Sequence, residues 1–233
     1  MIRKTSPGRT RAAWLALVLA LGCTAAPPGV RTWGTMREVL REGDDRGRVG
    51  VLEASGPHTL AVGALAGLEG EVTVLEGVSM VALGSTGEFR LAHEDDRAAL
   101  LVAADVPAWR QVTLPRAAMD LATLEEAVAA ALRQADFDLD APVPVRVRGF
   151  AHEVACHVIA GACPIARPEG PPPRRVERHD VRVELVGVHA EGRAGELTHH
   201  TNRSHLHVLG PAIMGHLDAI TLSDAVLLFP DLR

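Results

Sequence analysis

The sequence predicts an α+β fold that consists mostly of antiparallel or mixed β-sheets with a few helices. From about Val49 to Leu91, short β-type runs alternate with glycines, and no segment of helical length and periodicity separates them. This pattern favours a meander of strands over a repeated strand–helix–strand unit. The clearest helix is TLEEAVAAALRQ, residues 123–134, which has one apolar face; Thr123 is its expected N-cap, and Glu126 completes a capping box.

The length of 233 residues fits one domain or two small, closely packed ones. We expect a signal peptide in residues 1–23 and a proline-containing tether in residues 24–34. Residues 35–140 are expected to form an N-terminal β-rich half with one long helix. Residues 141–233, which contain several further strand patterns, are expected to form a C-terminal β half.

The composition argues against a nucleic-acid partner. The formal net charge is −5, and Lys4 is the only lysine. No basic face outweighs the scattered acidic residues, and the absence of tyrosine weakens any case for base stacking.

The N-terminus has the pattern of an export signal. Arg3, Lys4 and further arginines precede the apolar run AAWLALVLALG, and Cys23 follows it directly. This segment resembles a bacterial lipoprotein signal, in which Cys23 would be lipidated after cleavage. We therefore expect an exported protein, periplasmic or anchored to the outer membrane, that contacts the membrane only through lipid on Cys23. An ordinary secretory signal and a cytoplasmic protein with an apolar start are the alternatives.

Two further cysteines, Cys156 and Cys163, form an even pair once Cys23 is set aside. An oxidising compartment would permit them to form a disulfide. The alternative is two reduced, buried cysteines that pack as small apolar side chains.

The run SHLHVLGPAIMGHLDAITL contains three histidines at a spacing that metal sites use. His205 and His207 are two residues apart in a strand pattern, so their side chains project from the same face. Gly210 and Pro211 predict a turn, and the following segment reads as a returning strand that brings His216 opposite the first two. Three converging imidazoles can hold a catalytic zinc with one coordination position open. The alternative is a polar strand edge in a histidine-rich chain.

Three motifs follow one another along the chain: GALAGLEGEVT at 63–73, VRVRGF at 145–150, and SHLHVLGPAIMGHLD at 204–218. They resemble, in the same order, the GTFxxLDGELI, IRIDGxF and GxHxHFxSDD…GGHVLD motifs of the α-acetolactate decarboxylase family. The resemblance extends from about residue 35 to the C-terminus and implies the fold of that family. Without it, Glu71 would be interpreted as a solvated turn residue between glycines.

The resemblance implies a zinc enzyme that converts 2-acetolactate, a small 2-hydroxy-3-keto acid, to acetoin and carbon dioxide. It implies that His205, His207 and His216 are the metal ligands and that Glu71 is an acidic active-site residue near the metal. Arg146 would face the substrate carboxylate and later the enediolate. A Lewis acid stabilises the negative charge that decarboxylation develops, and a positioned acid must then deliver a proton. A homodimer is among the assemblies that the sequence allows.

The chain also departs from the family's pattern. The loop between His207 and His216 is two residues shorter and lacks acidic residues, although an even change preserves strand parity. Ala64 stands where the family has a threonine, and no glutamate follows Glu196, whereas the family has a second active-site glutamate in its C-terminal segment. Asp218 is interpreted as a partner for a histidine ligand. Two hypotheses therefore compete, an exported decarboxylase and a non-catalytic relative that keeps the metal site; a structural role without metal is the third.

Overall fold

The computed structural model describes residues 29–163, 166–198 and 202–232. Within these ranges the chain forms two antiparallel β-sheets and two α-helices, which confirms the predicted α+β class. The predicted signal peptide, including Cys23, lies outside the described residues.

The first sheet contains the strands of the N-terminal part. Its members, in chain order, are β1 Val30–Trp33, β2 Val49–Gly50, β3 Thr59–Leu65, β4 Gly70–Leu75, β5 Val78–Leu83, β6 Phe89–Leu91 and β7 Arg97–Asp105. Strands β3 to β6 form the predicted meander, while β7 pairs with β3, β1 and β2. Helix α1, Met36–Leu40, begins after its N-cap Thr35, whose hydroxyl accepts a hydrogen bond from the backbone N–H of Glu38.

The second sheet contains the longest strands. Its members are β8 Trp109–Thr113, β9 Met119–Asp120, β10 Val143–Val158, β11 Arg174–His189, β12 Ser204–Gly210 and β13 Ile213–Pro230. Strand β13 pairs with β12 through its first residues and with β10 through most of its remaining length. Since β10 also pairs with β11 and β11 with β12, the hydrogen bonding of these four strands closes on itself.

Helix α2, Leu121–Gln134, covers the apolar face of the second sheet. Leu124, Val128 and Leu132 are buried in one cluster with apolar residues of β10 to β13. The expectation that Thr123 caps this helix is wrong: Asp120 is the N-cap, and its side chain accepts a hydrogen bond from the backbone N–H of Thr123. The N-cap therefore lies three residues before the predicted one. Neither described helix is long and apolar enough to cross a membrane.

The strands divide between the two sheets at residues 106–108. The sequence grouping of residues 35–140 places β8, β9 and α2 in the N-terminal half, whereas β8 and β9 pair with β13 and α2 packs on the second sheet. Only the pairing partners, which are distant in sequence, assign these elements to a sheet.

Cys156 and Cys163 are both buried free thiols. Cys156 belongs to the core beneath the second sheet, and Cys163 belongs to a separate cluster with Met36 and Leu100. Of the two alternatives for these cysteines, the structure therefore has the unbridged pair.

Candidate metal centre and adjoining cavity

The three histidines lie on the β12–β13 hairpin. Strand β12 ends at Gly210 and β13 begins at Ile213, so the predicted turn is confirmed. His207 and His216 are direct cross-strand partners, which places both side chains on the same face of the hairpin.

Strand alternation directs the histidines away from the core of the second sheet. Leu206 and Val208 alternate with the histidines of β12 and are buried in the cluster that includes α2. The imidazoles therefore point to the opposite face, toward the first sheet. There the Nδ1 atom of His207 lies 2.8 Å from the hydroxyl oxygen of Thr73 on β4.

His205, His207 and His216 converge closely enough to share one ion. One ligand atom from each lies within 4.8 Å of the others, and all three side chains are buried. Burial lowers the pKa of His207 well below its usual range, and the neighbouring His205 and His157 act in the same direction. A neutral imidazole with an available lone pair is the form that binds a metal.

The nitrogen chemistry of His207 supports this interpretation. Its Nδ1 atom is hydrogen-bonded to the hydroxyl of Thr73, whereas its buried Nε2 atom has no hydrogen-bond partner within the described ranges. A buried polar atom without a partner is costly unless it meets a ligand. Three buried imidazoles and this nitrogen fit a divalent transition metal such as zinc.

Glu71 lies beside the histidines, at the start of β4. The residue is only 4% exposed, so the solvated-turn interpretation is wrong for it. The Oε2 atom is 3.6 Å from Nε2 of His207, and Oε1 accepts a hydrogen bond of 3.4 Å from the backbone N–H of Ile159. Burial raises the pKa of Glu71 to about 7, although His157 and the Ile159 N–H act in the opposite direction.

A cavity of about 220 Å³ adjoins this cluster. Its polar lining consists of Glu71, His157, Arg175, His205, His216 and Asp218. Its apolar lining includes Met36, Ala64, Leu100, Ile159 and Cys163. A small cavity lined by both polar and apolar side chains fits a small organic acid that has short alkyl groups.

His157 and Asp218 are cavity residues that the sequence did not identify as a pair. The Nδ1 atom of His157 and Oδ1 of Asp218 are 2.6 Å apart, and the His157 ring is centred 5.0 Å from that of His216. Burial acts to lower the pKa of His157, but the hydrogen bond to Asp218 and the charges of Glu71 and Asp218 outweigh it and raise the pKa. Asp218 thus contacts His157 and, at 3.7 Å, Arg175.

Arg146 is the predicted site residue that lies outside both the histidine cluster and the lining of the cavity. A single row of cross-strand neighbours runs from Arg146 through Val186, His207 and His216 to His157. Val186 therefore separates Arg146 from the histidines, about 10 Å from His207 at the spacing of two strands. The guanidinium instead donates hydrogen bonds to two carboxylates, of Glu184 at 2.7 Å and of Glu76 at 2.6 Å, and lies over the ring of Trp109.

Comparison with known proteins gives similarity of fold. No protein-family model and no curated protein matches the sequence. The structure is similar to α-acetolactate decarboxylase from Bacillus subtilis strain 168, with a TM-score of 0.70, 16% identity, and coverage of 87% of this chain and 85% of that chain. It is also similar to acetolactate decarboxylase from Bacillus subtilis subspecies spizizenii, with a TM-score of 0.69, 16% identity, and coverage of 86% and 85%.

A third similar structure is a Staphylococcus aureus protein of unknown function described as similar to α-acetolactate decarboxylase. Its TM-score is 0.65 at 18% identity, with coverage of 86% of this chain and 84% of that chain. At these identities the likeness shows a common fold, in agreement with the fold that the three sequence motifs imply.

Proposed function

We propose that this protein is a metal-dependent decarboxylase that converts 2-acetolactate, or a closely related 2-hydroxy-3-keto acid, to acetoin or its analogue and carbon dioxide. The observation that carries the proposal is the buried three-histidine cluster, which adjoins both a buried carboxyl group and a small cavity. The fold shared with acetolactate decarboxylases supports the choice of reaction class.

His205, His207 and His216 would hold the metal, and zinc is the ion proposed. When bound, this ion would act as a Lewis acid that stabilises negative charge as the carbon–carbon bond breaks. The three ligands lie on two strands joined by a two-residue turn, a rigid frame that limits the reorganisation of the site during the reaction.

Arg175 is the proposed partner of the substrate carboxylate. It lines the cavity, and its side chain is 74% exposed, so it stands at the rim where a charged group enters. Its guanidinium can bind a carboxylate through two parallel hydrogen bonds. Arg146, which the sequence motif suggested for this task, is bound instead to Glu76 and Glu184.

Glu71 is the proposed acid. Loss of carbon dioxide leaves an electron pair on carbon, and one proton must be added to that carbon to complete the reaction. With a pKa of about 7, the carboxyl of Glu71 can hold a proton near neutral pH. Its Oε2 atom is 3.6 Å from Nε2 of His207, so the proton would be held beside the three-histidine cluster.

His157 and Asp218 are proposed to orient the substrate. Asp218 holds Nδ1 of His157, which fixes the plane of the ring at the cavity wall. The apolar lining residues Met36, Leu100 and Ile159 would contact the methyl groups of the substrate and exclude water.

A non-catalytic metal-binding protein is the second candidate. Ala64 offers no hydroxyl to the cavity, and among the described lining residues the carboxylates are those of Glu71 and Asp218 alone. A site with this reduced set of polar groups would still bind a metal through the three histidines.

Metal analysis and an activity assay separate the candidates. Purified protein should contain about one zinc per chain and should release acetoin from racemic 2-acetolactate faster than the spontaneous background. Glu71→Gln should lower the rate by about a hundredfold or more. Glu69→Gln, at an exposed position on the same segment, is the matched control and should behave as the wild type.

The outcomes of these two experiments differ in what they exclude. Absence of metal after attempted reconstitution would overturn both candidates. Bound metal with equal acetoin formation in the presence and absence of protein would leave only the metal-binding candidate.

The protein is also proposed to be exported and lipidated at Cys23, on the basis of the residues that precede this cysteine. Incorporation of a labelled fatty acid into the full-length chain, and its loss in Cys23→Ser, tests this proposal. Unlabelled wild-type protein would contradict it.

A further inference from the structure

Strand β4 contacts both ring nitrogens of a single histidine. Glu71 and Thr73 are two residues apart on this strand and therefore share one face. Oε2 of Glu71 is 3.6 Å from Nε2 of His207, and the hydroxyl oxygen of Thr73 is 2.8 Å from Nδ1 of the same ring. Both Thr73 and His207 are fully buried, so water does not compete for this hydrogen bond.

We propose that Thr73 is a positioning residue for the metal centre. Its hydroxyl oxygen accepts a hydrogen bond from Nδ1–H of His207, which fixes the tautomer that has its lone pair on Nε2. The inference rests on the proposed metal site, because only a metal ligand requires that tautomer. No other described residue bonds to either nitrogen of this ring.

The two possible tautomers have different consequences. If Nε2 carried the proton, the Thr73 hydroxyl would donate to Nδ1, and the lone pair of His207 would be engaged in that hydrogen bond. With Nδ1 protonated, Nε2, which has no hydrogen-bond partner among the described residues, offers its lone pair on the side where Glu71 lies. An outer hydrogen bond of this kind sets both the orientation and the tautomer of a histidine ligand.

The contact also joins the two sheets. Thr73 is in the first sheet and His207 in the second, 134 residues apart in sequence. The position of the ligand therefore depends on the packing of one sheet against the other. A neutral hydroxyl also makes the imidazole a weaker base than a carboxylate partner would, which leaves more positive charge on a bound metal.

Cobalt binding tests the inference because Co²⁺ ligation gives a visible absorption spectrum. Thr73→Val retains the side-chain shape and removes the hydroxyl, and Thr73→Ser restores the hydroxyl. Thr59→Val is the matched control, since Thr59 is also buried in the first sheet but its hydroxyl contacts the backbone N–H of Gly56. Affinity is measured by competition with a chelator, and stability by urea unfolding of the metal-free proteins.

We expect Thr73→Val to bind Co²⁺ about 10- to 100-fold more weakly than the wild type and to alter the absorption spectrum. Thr73→Ser should recover most of the affinity, and Thr59→Val should keep the wild-type affinity and spectrum even where its metal-free stability is lower.

A wild type that binds Co²⁺ while Thr73→Val shows the same affinity and spectrum would overturn this inference alone. A wild type that binds neither Co²⁺ nor zinc would overturn the proposed metal site itself. Should Thr73→Val fail to fold, Thr73→Ser and Thr73→Ala decide: equal affinity of these two variants would contradict the role of the hydroxyl.

Discussion

Replacement of Arg146 by methionine distinguishes a structural role from a role in substrate binding. The Arg146 side chain is 2% exposed and donates hydrogen bonds to Glu184, which is 21% exposed, and to Glu76, which is 61% exposed. Methionine keeps a long apolar stem in the same space but removes the charge.

The expected loss in the free energy of unfolding on replacing Arg146 follows from three of its contacts. A largely buried hydrogen bond between charged groups contributes about 1.5–3 kcal/mol, here to Glu184. The contact with the exposed Glu76 contributes no more than about 1 kcal/mol after solvent screening. The guanidinium over the Trp109 ring contributes about 1 kcal/mol. Since Glu184 keeps a second partner, Arg148 at 3.1 Å, we expect a net loss near the lower end, about 3 kcal/mol.

Urea unfolding of the metal-free protein measures this loss, and acetoin formation by the folded variant measures activity. Arg148→Met is the matched control, because Arg148 contacts the same Glu184 carboxylate from a half-exposed position and should lose less than about 1 kcal/mol. We expect kcat/KM of folded Arg146→Met to remain within about threefold of the wild type. Unchanged stability combined with a hundredfold loss of kcat/KM would refute the structural role and restore Arg146 as the residue that faces the substrate carboxylate.

Three further predictions follow from the cavity and its surroundings. Arg175→Gln should raise KM by about tenfold with little change in kcat, because it removes a binding charge at the rim; an unchanged KM in steady-state kinetics would contradict this assignment. A chelator should lower the melting temperature of the wild type but not of His216→Ala, since only the former has three ligands; an equal shift in calorimetry would indicate a metal elsewhere. Burial lowers the pKa of His189, so below pH 6.5 the unfolded chain takes up a proton that the folded chain excludes, and stability decreases as the pH is lowered. His189→Asn, which can keep the hydrogen bond to Ser204, should reduce that slope by up to about 1.4 kcal/mol per pH unit, as measured by urea unfolding between pH 7.5 and 5.5; identical slopes would exclude His189 as the source.

The hairpin is the part of the site that local sequence predicts best. Gly210 and Pro211 mark the turn, and alternation places His205 and His207 on one face. Because the turn is short, counting residues across it was enough to predict that His216 returns to the same face, and the pairing of His207 with His216 confirms this. Binding of zinc by these residues remains a prediction.

The register of β10 against β13 could not be predicted by counting residues in this way. The register between these strands shifts at three places, one of them between Ala155 and Cys156, and each bulge changes which face the following residue occupies. The approach of His157 to His216 and Asp218 therefore has no signature in the local pattern. Thr73 was missed for a related reason, since its partner His207 belongs to the other sheet.

The sequence by itself determined the short strands, the long helix, and the common face of the hairpin histidines, because turn residues and side-chain alternation act over a few neighbouring positions. Only the tertiary structure decided which side chains pack against the face that carries the histidines. Packing of the first sheet against the second buries Glu71 beside His207, and closed pairing of the long strands brings His157 to the cavity. The same pairing leaves Arg146 bound to Glu184, two strands away from His207. These positions depend on contacts between residues far apart in the chain, where burial and strand register, rather than local preference, determine the neighbours of each side chain.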